Sequence, residues 1–192
     1  EAQHRITELS ILTEIGQVLS SALNIEDLLE VLLEQVGRVF DTNSFYLAVY
    51  DERMEEWEVI LMMDHGQRQP RQRFPLGRGL TGYMIRNRKV LWLRNESELE
   101  NFLESEGVPV LGDPAKSWMG VPLMVKERMI GILSLSHSAP NRYTSHQADL
   151  TFALANQAAV AIENARLYSA TKQHADELET LFAVQQAITS AS

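Results

Sequence analysis

The apolar period of this chain changes once, between Phe40 and Ser44, and that change constrains the fold more than any other feature. Before it, apolar residues recur at helical spacing. Ile6, Leu9, Leu12, Ile15, Leu19 and Leu23 mark one amphipathic helix, and Ile25, Leu28, Leu29, Leu32, Val36, Val39 and Phe40 mark a second. Asn24 is placed to cap the second helix, with Asp27 at N3. After the change the period is two. "SFYLAVYD" (44–51) and "EWEVILMM" (56–63) predict paired strands around a short polar turn, and "RQRFPL" (71–76), with Pro75 inside it, predicts an edge strand. A short helix from about Leu80 to Arg88 leads into "VLWLR" (90–94), and the 96–113 stretch reads as a loop with a helical turn. "SWMGVPLMV" (117–125) and "MIGILSLSH" (129–137) form a hairpin about Lys126-Glu127-Arg128. Thr144 and Gln147 make a capping box that opens a helix from about Ser145 to beyond Leu167. Helices at both ends of an antiparallel sheet define an α+β domain.

With 192 residues, 45% of them apolar, the chain can bury one sizeable core plus an accessory helix. No stretch reaches the roughly 18 to 20 apolar residues that span a bilayer, and no basic-then-apolar leader opens the chain. The absence of cysteine removes disulfides, thiolate nucleophiles, iron–sulfur clusters and thioether-linked chromophores, and it fits a reducing, cytoplasmic compartment. Asn95-Glu96-Ser97 is a chance glycosylation sequon. The sequence starts without Met and stops within a repeating pattern, as a piece of a longer protein would.

The net charge of −9 is unevenly spread. Between His65 and Asn95 stand Arg68, Arg71, Arg73, Arg78, Arg86, Arg88, Lys89 and Arg94 with no acidic residue, which leaves −17 for the rest of the chain. From Glu96 to Asp113 there are only acidic charges. The expectation is that the two blocks face each other, Arg78 pairing with the acidic stretch rather than with an anionic ligand. An acidic chain with no recognition helix or aromatic-basic pattern is not built for nucleic acid.

Gly77, Gly79 and Gly82 have G-x-G-x-x-G spacing, with Glu96 nineteen residues beyond the first. A dinucleotide loop follows the buried central strand of a parallel sheet, whereas this one follows Arg71-Gln72-Arg73-Phe74-Pro75 among hairpin signals. The glycines therefore read as a tight strand-to-helix turn.

"PLGRGLTGYMIRNRKVL", "SWMGVPLMVKERMIGILSLSH" and "YTSHQADLTFALANQAAVAIENARLY" together resemble the GAF domains. They match that family's Gly-x-Gly-Leu-x-Gly turn, its Ser-x-x-x-x-Pro-Leu hairpin ending in Ile-Gly-x-Leu, and its closing helix. The resemblance covers roughly residues 9 to 168. It implies a central five- or six-stranded antiparallel sheet, terminal helices packed on one face, and short helices and loops over a ligand pocket on the other. It also implies a sensory or dimerising module upstream of a kinase, cyclase, phosphodiesterase or transcription factor, as in two-component systems.

The strand alternation agrees with a two-faced sheet. Phe45, Leu47 and Val49 would face the helices, leaving Tyr46, Ala48 and Tyr50 opposite, together with Trp118, Gly120, Pro122, Met124, Ser134 and Ser136. A face dotted with tyrosine and serine beneath a tryptophan can bind an aromatic or heterocyclic molecule by stacking and hydroxyl hydrogen bonds. The same side chains can instead close over one another. Candidate ligand-binding residues are Tyr46, Tyr50, Phe74, Arg78, Tyr83, Trp118, Ser134 and Ser136, with no catalytic or metal residues expected. Within the resembled family, covalent bilin attachment and methionine-sulfoxide reduction need cysteine, which is absent. The family's cyclic-nucleotide signature is not legible, because Asp51-Glu52 has no matching Asn-Lys pair before it, which leaves a cyclic nucleotide open but unsupported. Haem stays open but unsupported, since His65 and His137 have no second ligand at helical metal-binding spacing.

"ELETLFAVQQAITSAS" (177–192) restates "ELSILTEIGQVLSSAL" (8–23). The expected organisation is a GAF-like domain over 1–168, followed by a linker helix over 169–192 that runs into a second, similar module. Val160, Asn164, Leu167, Thr171, His174, Leu178, Leu181 and Ile188 fall at heptad-like positions. A seam with polar members suits a helix whose register can shift. The expected function is a non-catalytic sensory module that dimerises through its terminal helices and passes the binding of an unknown small molecule to a downstream output domain. The alternatives are a ligand-free dimerisation scaffold and, from another class, a small-molecule enzyme.

Overall fold

Asn24 opens the first helix described by the computed structural model, which covers residues 24–40, 44–109 and 115–190. The amphipathic segment from Ile6 to Leu23 lies outside the described residues. Helix α1 (Ile25–Val39) starts where the Asn24 side chain accepts the Asp27 amide at 2.8 Å, and Glu26 and Asp27 complement the positive end of its dipole. Leu28, Leu29, Leu32 and Val36 are buried along one side, as the spacing predicts.

Seven strands follow: β1 (Ser44–Asp51), β2 (Glu56–Asp64), β3 (Gln67–Arg68), β4 (Gln72–Pro75), β5 (Leu91–Leu93), β6 (Ser117–Val125) and β7 (Arg128–His137). They form one antiparallel sheet in the order β3-β2-β1-β7-β6-β5. β4 also pairs with β2, beside the stretch that β3 leaves free, so the sheet is six positions wide. Pro75 ends the edge strand β4, where a missing N–H costs no ladder bond. Pro122 is tolerated inside β6 because β5 pairs only with Trp118, Met119 and Gly120.

Two helices connect the sheet's far edge: α2 (Leu80–Asn87) and α3 (Glu96–Glu106). The final helix, α4, runs Ser145–Ser190, and the expected Thr144–Gln147 box opens it. The Thr144 amide donates to Gln147 Oε1 at 3.1 Å, and the Gln147 amide donates to Thr144 Oγ1 at 3.2 Å. Leu154, Ala155, Ala158, Ala159 and Ile162 are buried in one core with the sheet and α1, and Ala165 is the last buried residue along the helix among the described residues. The small alanines let the helix backbone approach the sheet closely. After Ala165 burial ends, and residues 167–183 are exposed.

The two sheet faces hold separate cores. On one, α1 and α4 cover Phe45, Leu47, Val49, Met119, Val121, Leu123, Leu133 and Leu135. On the other, α2 and α3 contribute Met84, Ile85, Leu99 and Leu103 over Trp118 and Ile132. The α+β architecture with helices on one face and short helices on the other is therefore the one expected. Two local expectations need correction. The 96–113 stretch holds a three-turn helix rather than a loop with one turn, and β3 is an additional strand. The helix expected to run beyond Leu167 needs no change, since α4 continues to Ser190. Among the described residues, no helix is long and apolar enough to cross a membrane.

Candidate functional site

Register builds the second face row by row. Tyr46 on β1, Ser134 on β7, Gly120 on β6 and Leu91 on β5 are cross-strand partners, and the next row holds Ser44, Ser136, Trp118 and Leu93. Three of the expected residues, Tyr46, Trp118 and Ser134, thus come together at the middle of the sheet. Ser136 shares a row with Trp118 and is half-buried.

Helix α2 lies over this centre because its entry is tight. A Cβ on Gly82 would stand 1.9 Å from the Gly77 carbonyl oxygen, so only glycine lets the first turn fold back on the preceding loop. Arg86 Nη1 donates to that same carbonyl at 2.9 Å. The glycines therefore serve helix entry, as the sequence context indicates. The turn brings Thr81 to Tyr46, whose hydroxyl shares a 2.6 Å hydrogen bond with Thr81 Oγ1.

The Tyr46 ring keeps some exposure while its hydroxyl end is enclosed, and that burial raises the phenol above its usual pKa. The neighbouring Thr81 and Ser134 hydroxyls act in the opposite direction, more weakly. Ser134 is 1% exposed, and its Oγ makes no hydrogen bond of good geometry among the described residues. The cluster offers neutral hydroxyl donors and acceptors at physiological pH, which suits hydrogen bonding rather than proton abstraction.

Much of the space beside these hydroxyls is filled. Trp118 is 6% exposed and Met84 is fully buried. A Cβ on Gly120 would meet the Trp118 ring at 2.3 Å and the Met84 sulfur at 2.4 Å, so indole and thioether lie directly over this glycine. Sequence reasoning missed Met84 and Thr81 because they come from α2, whose rotation over the sheet no local pattern encodes.

The remaining candidates lie elsewhere. Phe74 stacks on Trp57 with ring centroids 4.7 Å apart, and Trp57 in turn lies 6.2 Å from Tyr46, giving an aromatic run along the rim. Trp57 Nε1 donates to the Pro75 carbonyl at 3.2 Å, which fixes its ring. Tyr83 packs edge-on against Phe102 at 5.0 Å and carries a raised pKa from burial and from the Glu106 carboxylate. Arg78 is exposed beside an open groove of about 440 Å³ with Leu103, Glu104 and Val108, whose lining does not include Tyr46, Thr81 or Ser134. Tyr50 sits four residues along β1 from Tyr46, roughly 13 Å at strand rise. The eight candidates therefore do not converge on a single pocket.

The basic stretch does not pair mainly with the acidic block that follows it. Arg68 pairs with Glu30 and Arg71 with Glu26, both on α1, while Arg73 pairs with Glu58 on β2 at 2.9 Å. Among the described residues only Arg94 makes an ion pair with the acidic block, at Glu98, 2.6 Å away, and this guanidinium holds the Glu98 carboxyl below its usual range. Among the described residues Arg78 makes no ion pair, so its expected pairing is not found there. Among those residues, too, no three His, Asp or Glu side chains gather as a metal site would require. His137 Nδ1 accepts the Ala139 amide at 2.8 Å, and His65 is exposed beside Asp64.

The sequence profile of the GAF domain family matches residues 22–163. The fold is shared with the GAF domain of a phosphoenolpyruvate-protein phosphotransferase from Acinetobacter, at a TM-score of 0.67 and 21% identity, covering 85% of this chain and 97% of that one. A methyl-accepting chemotaxis protein segment, residues 122 to 287, gives 0.62 and 18%, covering 80% and 97%. Free methionine-R-sulfoxide reductase from Neisseria meningitidis, solved with its substrate, gives 0.57 and 19%, covering 82% and 89%. Identities this low carry the fold alone, whereas the profile spans most of the chain. The two-faced antiparallel sheet, the glycine turn into α2 and the profile match together place this chain in the GAF domain family, the sensory and regulatory modules of signalling proteins.

Proposed function

We propose that this chain is a non-catalytic, cytoplasmic regulatory GAF module that pairs with a second copy through α4 and conveys its state along that helix to an output domain. The observation that carries the reading is the back of α4. Phe152, Val160, Leu167, Leu178, Leu181 and Phe182 are all about half exposed or more, and successive 100° steps place them on the side opposite Ala155, Ala158 and Ile162. One stripe thus begins over the domain and continues along the projecting length. An apolar stripe of that extent favours burial against a partner. Asn164, Thr171 and His174 interrupt it, and polar seam residues fix register at some cost in stability. The absence of cysteine removes thiol chemistry and supports a non-catalytic role. On this reading the stretch past 168 joins the domain to a further module, and the amphipathic segment over Ile6 to Leu23 adds to the dimer contact.

The ligand belongs to the second face, where Tyr46, Thr81 and Ser134 present hydroxyls beside aromatic rings. A ligand-free scaffold is the second reading, favoured by Trp118 and Met84 already filling the space over Gly120. The cysteine-free chain makes cross-linking decisive for the dimer. Single Leu167→Cys, Leu178→Cys and Leu181→Cys variants should form disulfide-linked dimers under mild oxidation, while Lys172→Cys, on another side of the helix, should not. Equal cross-linking at all four positions, or none at any, would overturn the pairing. Thermal shift with heterocycles, cyclic nucleotides and haem then separates sensor from scaffold: stabilisation lost in Tyr46→Phe supports the first, and no shift with any supports the second.

A further inference from the structure

A second groove lies at the end of the sheet where α4 leaves the domain, well away from the Tyr46 cluster. It has a volume of about 460 Å³, within the roughly 300–1,000 Å³ range of small-molecule sites. Its floor is Tyr50 and the buried Met129. One wall is the turn after β1, with Asp51, Glu52 and Arg53, and the other holds Arg128 and Arg166.

The charges here are arranged unusually. Arg128 is already paired with Glu163 on α4, and Asp51 Oδ1 accepts the amides of Arg53 and Met54 at 2.9 and 3.2 Å. The side chains of Glu52, Arg53 and Arg166, by contrast, make no ion pair among the described residues, although all three line the same groove. Tyr50 reports the acidic side: burial raises its phenol first, and Glu55, Glu52 and Asp51 raise it further. A simple anion would be opposed by the Asp51 and Glu52 carboxylates, and a simple cation by the guanidiniums of Arg53, Arg128 and Arg166. A molecule carrying both charges a few ångströms apart satisfies both walls.

We propose that this groove binds a small zwitterion of the amino-acid class, its carboxylate on Arg166 and Arg53, its ammonium on Glu52, and its side chain over Tyr50 and Met129. A guanidinium fork is the side chain best matched to a carboxylate. Arg166 directly follows Ala165, the last buried residue before α4 projects. The ligand therefore ties the β1–β2 turn to α4 at the point where the helix leaves the sheet. The groove shares no lining residue with the Tyr46, Thr81 and Ser134 cluster, so it is tested separately.

Isothermal titration of the 192-residue chain with each common amino acid, beside acetate and methylammonium as half-ligands, reads the proposal. Saturable binding of one or a few amino acids is expected, with none for either half-ligand. Glu52→Gln and Arg166→Gln should each weaken it at least about tenfold, with Arg166→Lys retaining more affinity than Arg166→Gln. Neither side chain makes an ion pair among the described residues, so the variants should fold, which circular dichroism checks. No saturable binding up to about 10 mM overturns the proposal. So does acetate binding as tightly as an amino acid, or an affinity that the Glu52→Gln/Arg166→Gln double variant leaves unchanged.

Discussion

A Cβ on Gly120 would lie 2.3 Å from a Trp118 ring carbon, and the indole cannot bend away as a flexible chain end would. Gly120→Ala should therefore cost about 1–3 kcal/mol in urea denaturation, the range for overpacking a filled interior. A loss below about 0.5 kcal/mol would mean that Trp118 is not held over this position. Titration gives a second residue-level test. Tyr46, Tyr50 and Tyr83 all have pKa values raised above the ordinary 10.0. Above that pH the unfolded chain releases these protons first, so it holds fewer than the native state and stability falls as pH rises further. Urea midpoints should be insensitive to these groups below about pH 9 and should decline above about pH 10. A midpoint constant through that window would contradict the tyrosine environments. Of the site residues, Tyr46, Trp118 and Ser134 were legible because strand alternation assigns a face without knowledge of the partner. Arg78 was not, because charge pairing is settled in space: the partners of Arg68 and Arg71 lie 38 and 45 residues away, on α1.

Among elements, legibility followed the strength of the periodic signal. β1 and β6 have the bounds their alternation predicts, and α1 begins at its cap. α3 was obscured because only Leu99 and Leu103 are buried along it, and its acidic surface resembles a loop. Its real signals are at the ends. The Asn95 side chain accepts the Glu98 amide at 2.9 Å, and Gly107 closes the helix in the left-handed region at φ 62°. Asn95-Glu96-Ser97, which reads as a sequon, is this helix start. Asn95→Ala should cost about 1 kcal/mol, measured by urea denaturation, and should speed amide exchange in α3 more than in β6. An unchanged midpoint with unchanged exchange would show that the cap contributes nothing. β3 escaped notice because two residues carry no period at all.

At the scale of the whole molecule, one sheet separates two cores with different tasks. The face under α1 and α4 is a large apolar cluster that sets where α4 runs, and the face under α2 and α3 holds the hydroxyl and aromatic cluster. Fold class could be read from the sequence because terminal helices flanking an antiparallel sheet leave few arrangements. The eight-residue pocket could not, because α2 and α3 decide what reaches the sheet, and they bring Met84 and Leu103 rather than Arg78. Among the described residues burial along α4 ends at Ala165, and Leu178, Leu181 and Phe182 are 55%, 65% and 64% exposed. An isolated helical extension with such a stripe gains most of its stability by packing against another helix. Sedimentation equilibrium of the 192-residue chain against the same chain ending at Tyr168 tests this directly. The full chain should be a dimer and the shortened one should dimerise at least about tenfold more weakly. Equal dimer affinity in the two, or a full chain that stays monomeric, would contradict a module that pairs through α4.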